Sequence, residues 1–162
     1  MKRPVIAVAA CVLLWGLFTV GSPMLKEHNE SFPDTFNDVV LKERVKTFPT
    51  AAEAPESGDG EGRFVLPGWV PEDATEVKVK IETTGNAELI RFDLGDTPLD
   101  PGELKKCRAG GFVEGPKLRA SWFTAEPEEG DGRADCSEMY EFRVLEKGGQ
   151  VFAWSNGNYA GE

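Results

Sequence analysis

Histidine is almost missing from this chain: His28 is its one imidazole. A Ser-His-Asp or Cys-His mechanism needs an imidazole held in a folded cleft. His28 stands three residues beyond an apolar N-terminal run and ahead of every stretch patterned like a folded module. Zinc sites draw on histidine or on several cysteines, and the 3 cysteines include no C-x-x-C pair. The phosphate-cradling patterns G-x-x-x-x-G-K-[ST] and G-x-G-x-x-G after a strand are also lacking, which removes support for nucleotide chemistry. Positive charge is short as well. Lys and Arg number 18 against 28 Asp and Glu, for a net charge of −10. A nucleic-acid binder needs a basic face, and an acidic surface is not drawn to anionic lipid headgroups. The composition therefore predicts no catalytic set, no cofactor, no metal site and no nucleic-acid partner. It leaves basic proteins, cations or neutral surfaces as partners, or an acidity that serves solubility alone.

The N-terminus carries the clearest positive signal. Met1, Lys2 and Arg3 precede an apolar run from Pro4 to Leu25, with Val5 to Val20 at its heart. A basic start and a run near the roughly 20 residues of a spanning helix predict a signal anchor over residues 1–25, with everything after it outside the cytoplasm. A cleaved signal peptide ending near Val20-Gly21, and a secreted product, is the alternative. Val8-Ala9-Ala10-Cys11 is superficially like a lipoprotein box, but the residues after Cys11 stay apolar.

Beyond the anchor, residues 26–63 read as a juxtamembrane segment and an acidic flexible linker. Phe36, Val39, Val40 and the stretch from Glu43 to Val45 give a rough helical stripe after a capping Asp34. Pro49 to Gly62 has no large apolar residue and so predicts a linker that needs no fold. Asn29-Glu30-Ser31 is a formal glycosylation sequon, meaningful only in a eukaryotic secretory pathway.

Residues 64–156 then show strand patterning, with 157–162 as a polar tail. Val77, Val79 and Ile81 alternate with charges from Thr75 to Glu82. A turn at Thr84-Gly85-Asn86 leads to a second strand with Ile90, Phe92 and Leu94 inward. Lys117 to Thr124 and Met139 to Leu145 read as a third and a fourth, the latter with Tyr140, Phe142 and Val144 inward. Lys147-Gly148-Gly149 turns into a fifth from Gln150 to Ser155. The expected fold is mainly β: a small antiparallel sheet, sandwich or partial barrel of about five strands. A single sheet would need another cover, which the Trp69 segment and the loop between Cys107 and Cys136 can supply.

Cys107 and Cys136 are the two cysteines outside the apolar run. In an oxidising compartment they predict a structural disulfide closing roughly 30 residues, worth about 3.5 kcal/mol on chain-entropy arithmetic. A redox or metal pair is the competing reading. Acidic loops at Asp93, Asp96 and Asp100, and from Glu126 to Asp135, offer carboxylates for calcium, but neither follows the D-x-[DN]-x-[DN]-G pattern. Among the aromatics, Phe123 (out of phase with Trp122) and Tyr159 in the tail are the candidates for an exposed contact, although alternation also admits Phe123 to the core.

Leu66-Pro67-Gly68-Trp69-Val70-Pro71-Glu72-Asp73-Ala74-Thr75, the cysteine pair around a Trp122 segment and the closing Val151-Phe152-Ala153-Trp154 resemble small exported proteins of actinobacteria. That resemblance implies a membrane-anchored or exported domain and supplies no activity. Together these readings predict a membrane-anchored extracytoplasmic interaction or binding module, with a carboxylate-dependent hydrolase as the alternative. An envelope protein or a neutral or basic ligand is its expected partner.

Overall fold

The computed structural model describes residues 31–56, 62–99, 114–125, 133–136 and 138–160. The anchor at 1–25, the sequon asparagine, Cys107, Asp100 and most of the second acidic loop lie outside these. No helix among the described residues is long and apolar enough to cross a membrane.

The chain forms one open antiparallel sheet of six strands. These are β1 (Glu43–Thr50), β2 (Thr75–Glu82), β3 (Glu88–Asp93), β4 (Arg133–Asp135), β5 (Phe142–Lys147) and β6 (Gln150–Ser155). Their spatial order is β1-β2-β3-β6-β5-β4, so the last strand in sequence lies inside the sheet. The mainly β expectation holds. The sandwich and barrel forms do not, because a single sheet is covered on both faces by irregular segments.

One face gathers Val77, Val79, Ile81, Ile90, Phe92, Phe142, Val144, Val151 and Ala153, and the segment from Phe64 to Ala74 closes over it. Trp69 is the centrepiece, tilted on Phe92 at 6.4 Å and edge-on to Phe142 at 5.9 Å. The opposite face buries Leu89 and Trp154 under Leu118, with Trp122, Phe123 and Leu145 packed around them. Full burial of such a side chain contributes about 1.5–3 kcal/mol.

Three expectations need correction. First, the folded unit begins well before Phe64. Glu43–Thr50, read as juxtamembrane chain, is an edge strand paired to β2 from Glu43↔Glu82 to Thr50↔Thr75. Ala51, inside the stretch taken for a linker, continues the pairing by donating its N–H to Ala74 O at 2.8 Å. Pro49 is tolerated because β1 has a free edge and needs no donor there. The helical stripe is also different: residues 34–41 make a short helical run that buries Asn37 and Leu41 and leaves Val39 74% exposed.

Second, Lys117 to Thr124 is no strand. The segment 114–125 crosses a sheet face, held by side chains rather than a ladder. Lys117 N–H donates to Asn156 Oδ1, Asn156 Nδ2 donates to Gly115 O, and Trp154 Nε1 donates to Glu114 O. Pro116 has no N–H to offer a ladder. The count of six strands comes instead from β1 and from β4, which lies within the acidic stretch ending at Asp135.

Third, the polar tail is part of the fold. Tyr159 bridges Tyr140, Glu141 N–H donates to Asn158 O, and Ala160 N–H donates to Met139 O. Gly157 turns the chain at φ +85, where a Cβ would stand 3.1 Å from Asn86. The β5–β6 turn follows expectation: Gly148 and Gly149 both take positive φ, as a two-residue hairpin requires.

Candidate functional site

Strand phase builds the site. Glu88 opposes Ile81 on β2 and Ser155 on β6, and it shares the phase of Ile90 and Phe92. The alternation that sends those two side chains inward therefore sends a carboxyl inward as well. This signal was present in the sequence: an acid two residues before an inward Ile-x-Phe pair. The side chain enters at the end of the sheet where the β2–β3 turn rises. There it lines a cleft of about 240 Å³ with Arg63, Val65, Ile81, Asn86 and Tyr140 among its walls.

Three elements meet at the cleft. The turn is tied down by Glu82 N–H donating to Ala87 O and by Thr83 N–H donating to Lys42 O. The covering segment brings Arg63, whose Nη1 donates to Thr83 O at 2.8 Å. The returning tail sets the Tyr159 ring 5.2 Å from Tyr140. Tyr159 is 52% exposed and Met139 beside it 67%, so an apolar, solvent-facing pair of side chains adjoins Tyr140, a wall of the cleft.

Its electrostatics are unusual. Glu88 Oε1 is buried and has no hydrogen-bond partner among the described residues. Burial, and then the nearby charge of Glu138, push the Glu88 carboxyl from 4.5 up to about 8. Glu138 itself is anchored, its Oε1 accepting the Gly68 N–H at 3.1 Å. Glu82 lines the cleft too, but its carboxylate is ion-paired to Lys117 at 2.8 Å. The Arg63 charge acts on Asp38, whose carboxyl is lowered chiefly by its hydrogen bonds from Arg44. The Tyr140 phenol is raised by burial, and by Tyr159 beside it.

The residues singled out from sequence fall in three places. Tyr159 packs on Tyr140, which lines the cleft, and does not itself line it. Phe123 is on the opposite face, half-buried, meeting Phe152 edge-on at 5.4 Å and Trp154 at 6.3 Å. Cys136 follows β4, with its Sγ 3.8 Å from Glu141 Oε1. Cys107 lies outside the described residues. No group of three or more metal-ligating side chains occurs among the described residues. Asp73, beside the first acidic loop, is occupied locally: it accepts the Thr97 N–H at 2.9 Å, which lowers its carboxyl.

A cleft of this size is smaller than the roughly 300–1,000 Å³ of sites for drug-sized ligands. It suits the end of a side chain or a small polar group. A neutral carboxyl in it can both donate and accept a hydrogen bond. No family model matches the chain, and no curated protein or solved structure matches it either.

Proposed function

We propose that this chain is a membrane-anchored, extracytoplasmic binding module without catalytic activity, and that the cleft at Glu88 is its binding site. One observation carries the reading: the cleft holds a buried carboxyl oxygen with no hydrogen-bond partner among the described residues, and its Tyr140 wall packs on the exposed Tyr159 ring. Unsatisfied buried polar groups are costly, and a ligand that completes the hydrogen bond recovers that cost on binding. The basic start and apolar run ahead of Leu25 support attachment to the membrane. In that compartment Cys136 pairs with Cys107 as a structural disulfide. The resemblance to small exported actinobacterial proteins points the same way. The partner is an envelope protein or a neutral or basic ligand.

The alternative is a carboxylate-dependent hydrolase. It is favoured by the raised Glu88 carboxyl, protonated at neutral pH as a general acid must be, with Glu138 as the nearby second carboxyl. The small volume of the cleft weighs against it.

The test uses the whole chain in its native membrane. A photo-crosslinking residue at Tyr159 should capture an envelope component that the same residue at Glu146, on the far hairpin, does not. Capture from both positions alike, or from neither, would defeat the binding reading. External protease on intact cells should remove a C-terminal tag; a protected tag would overturn the topology. A hydrolysis lost in Glu88→Gln and retained in Tyr159→Ala would move the protein to the enzyme reading.

A further inference from the structure

We infer that the cleft takes one neutral sugar ring, whose hydroxyls pair with Glu88, Arg63 and Asn86 while a C–H face lies on Tyr140. The inference rests on the binding reading above and names the ligand class that the walls select.

Hydrogen-bonding capacity decides first. Glu88 Oε1 is buried in the cleft wall with no partner among the described residues. Its carboxyl, neutral up to about pH 8, presents a donor and an acceptor together. An ammonium has no acceptor for the one, and a carboxylate has no donor for the other. A hydroxyl has both, and it still donates once the carboxyl ionises. An apolar ligand leaves Oε1 unpaired, at the full cost of its burial. Two further polar groups line the cleft from other elements. Arg63, on the covering segment, spends Nη1 on the Thr83 carbonyl and keeps other N–H donors. Asn86, in the β2–β3 turn, is exposed and offers the acceptor and donors of an amide. Glu82 is withdrawn from this set by its ion pair with Lys117.

Number and shape then separate a sugar from a lone amide or alcohol. The polar groups stand on three elements, and a sugar ring sends hydroxyls outward all round its edge. A lone amide or alcohol has one such group and leaves the other walls to water. Tyr140, Val65 and Ile81 supply the apolar remainder of the lining, which suits the C–H faces of a sugar. Those hydrogens carry the partial positive charge that the negative face of an aromatic ring attracts. A few placed polar groups on an apolar wall are what fix orientation in a small-molecule site. At about 240 Å³ the cleft holds one ring, so the occupant is a free monosaccharide or the end unit of a longer chain.

The experiment uses the full chain in phosphatidylcholine nanodiscs, which bring no sugar headgroup. Titration calorimetry and saturation-transfer NMR follow methyl β-glucopyranoside, methyl β-galactopyranoside and methyl α-mannopyranoside. Cyclohexylmethanol, cyclohexylammonium and cyclohexanecarboxylate are the counterparts, each a ring with one polar group. At least one glycoside should bind about tenfold or more tighter than all three counterparts. Glu88→Leu should keep its near-UV circular dichroism and lose about tenfold or more in affinity, and Arg63→Gln and Tyr140→Leu should weaken binding as well. Glu88→Gln, which keeps an acceptor and donors, should stay within about threefold of the native chain. A matching trisaccharide bound as well as its methyl glycoside identifies a chain end as the occupant, and its rejection identifies a free sugar. Binding of no glycoside, a counterpart bound as tightly, or a Glu88→Gln loss as large as that of Glu88→Leu would overturn the inference. So would native affinity in Glu88→Leu, Arg63→Gln and Tyr140→Leu alike. Capture from Tyr159 in cells with no glycoside bound would sink this inference and leave the binding reading standing.

Discussion

Lys80 Nζ lies 2.8 Å from Glu43 Oε2, and the pair joins the second strand to the edge strand beneath a covering segment. Lys80 is 1% exposed. Its ammonium also donates to Arg119 O at 2.6 Å, so one buried charge fastens β1, β2 and the segment 114–125 together.

Removing only the ammonium should therefore be severe. Lys80→Met leaves the Glu43 carboxylate buried without its Lys80 counter-charge, which costs about 3–5 kcal/mol. The double change Lys80→Met with Glu43→Leu should cost much less, because apolar groups of similar volume replace a buried ion pair with little loss. Urea melts of the four members of the cycle measure the coupling. A loss in the double variant equal to the sum of the two single losses would show that the pair is not coupled.

Glu88 sets a pH dependence of stability. Its carboxyl is raised in the folded state from 4.5 to about 8. Between those values the folded chain binds a proton that the unfolded chain has lost. The contribution is therefore complete below about pH 4.5 and declines as pH rises to about 8, by at most about 1.4 kcal/mol per unit. Glu88→Gln should remove this slope and melt higher than the native chain at pH 8.5. Thermal melts across pH 5–9 check both statements.

Phe123 should behave as a packing residue. With its edge contacts to Phe152 and Trp154, Phe123→Ala should cost about 2–3 kcal/mol. A loss within about 0.5 kcal/mol is what a free surface side chain gives, and it would return Phe123 to the role of an exposed contact.

Cys136→Ala and Cys107→Ala should each cost about 2–5 kcal/mol, and the double variant no more than either alone, since the first change already breaks the bond. Mass spectrometry without reductant should find the two cysteines in one linked peptide pair. Free thiols at both positions in protein taken from the cell surface would end the structural reading.

Lys42 holds φ 57 at the end of the helical run, a left-handed position that favours glycine. Lys42→Gly should stabilise the chain by about 0.5–1 kcal/mol. A lower melting temperature would mean that the Lys42 side chain contributes more than its backbone costs.

Much of the sheet was legible because alternation is strong where one face is buried. Thr75–Glu82 and Gln150–Ser155 are strands at the expected bounds. β1 was hidden for a physical reason: its apolar residues Val45 and Phe48 pair with Lys80 and Val77 and so point to opposite faces. An edge strand with one apolar residue on each face gives no periodic signal. Leu118, Ala120 and Trp122 mimic alternation, but they belong to a segment laid across the sheet, where no neighbouring strand meets its backbone. The cleft was illegible as a site. Strand phase sends Glu88 inward, but no sequence spacing links it to Glu138, whose charge reaches it only through the β3–β6 and β5–β6 pairings.

The interior position of β6 decides when this protein can fold. β3 on one side and β5 on the other both await Gln150–Ser155, the last strand in sequence order among the described residues. While a ribosome still covers those residues, β1, β2 and β3 form a half-sheet whose β3 edge is bare, and bare edges recruit wrong partners. Joining of the two parts of the sheet is thus deferred until Gln150–Ser155 has emerged. A stop codon just before Gln150 would leave a three-stranded half-sheet and a separate β4–β5 pair rather than a trimmed domain.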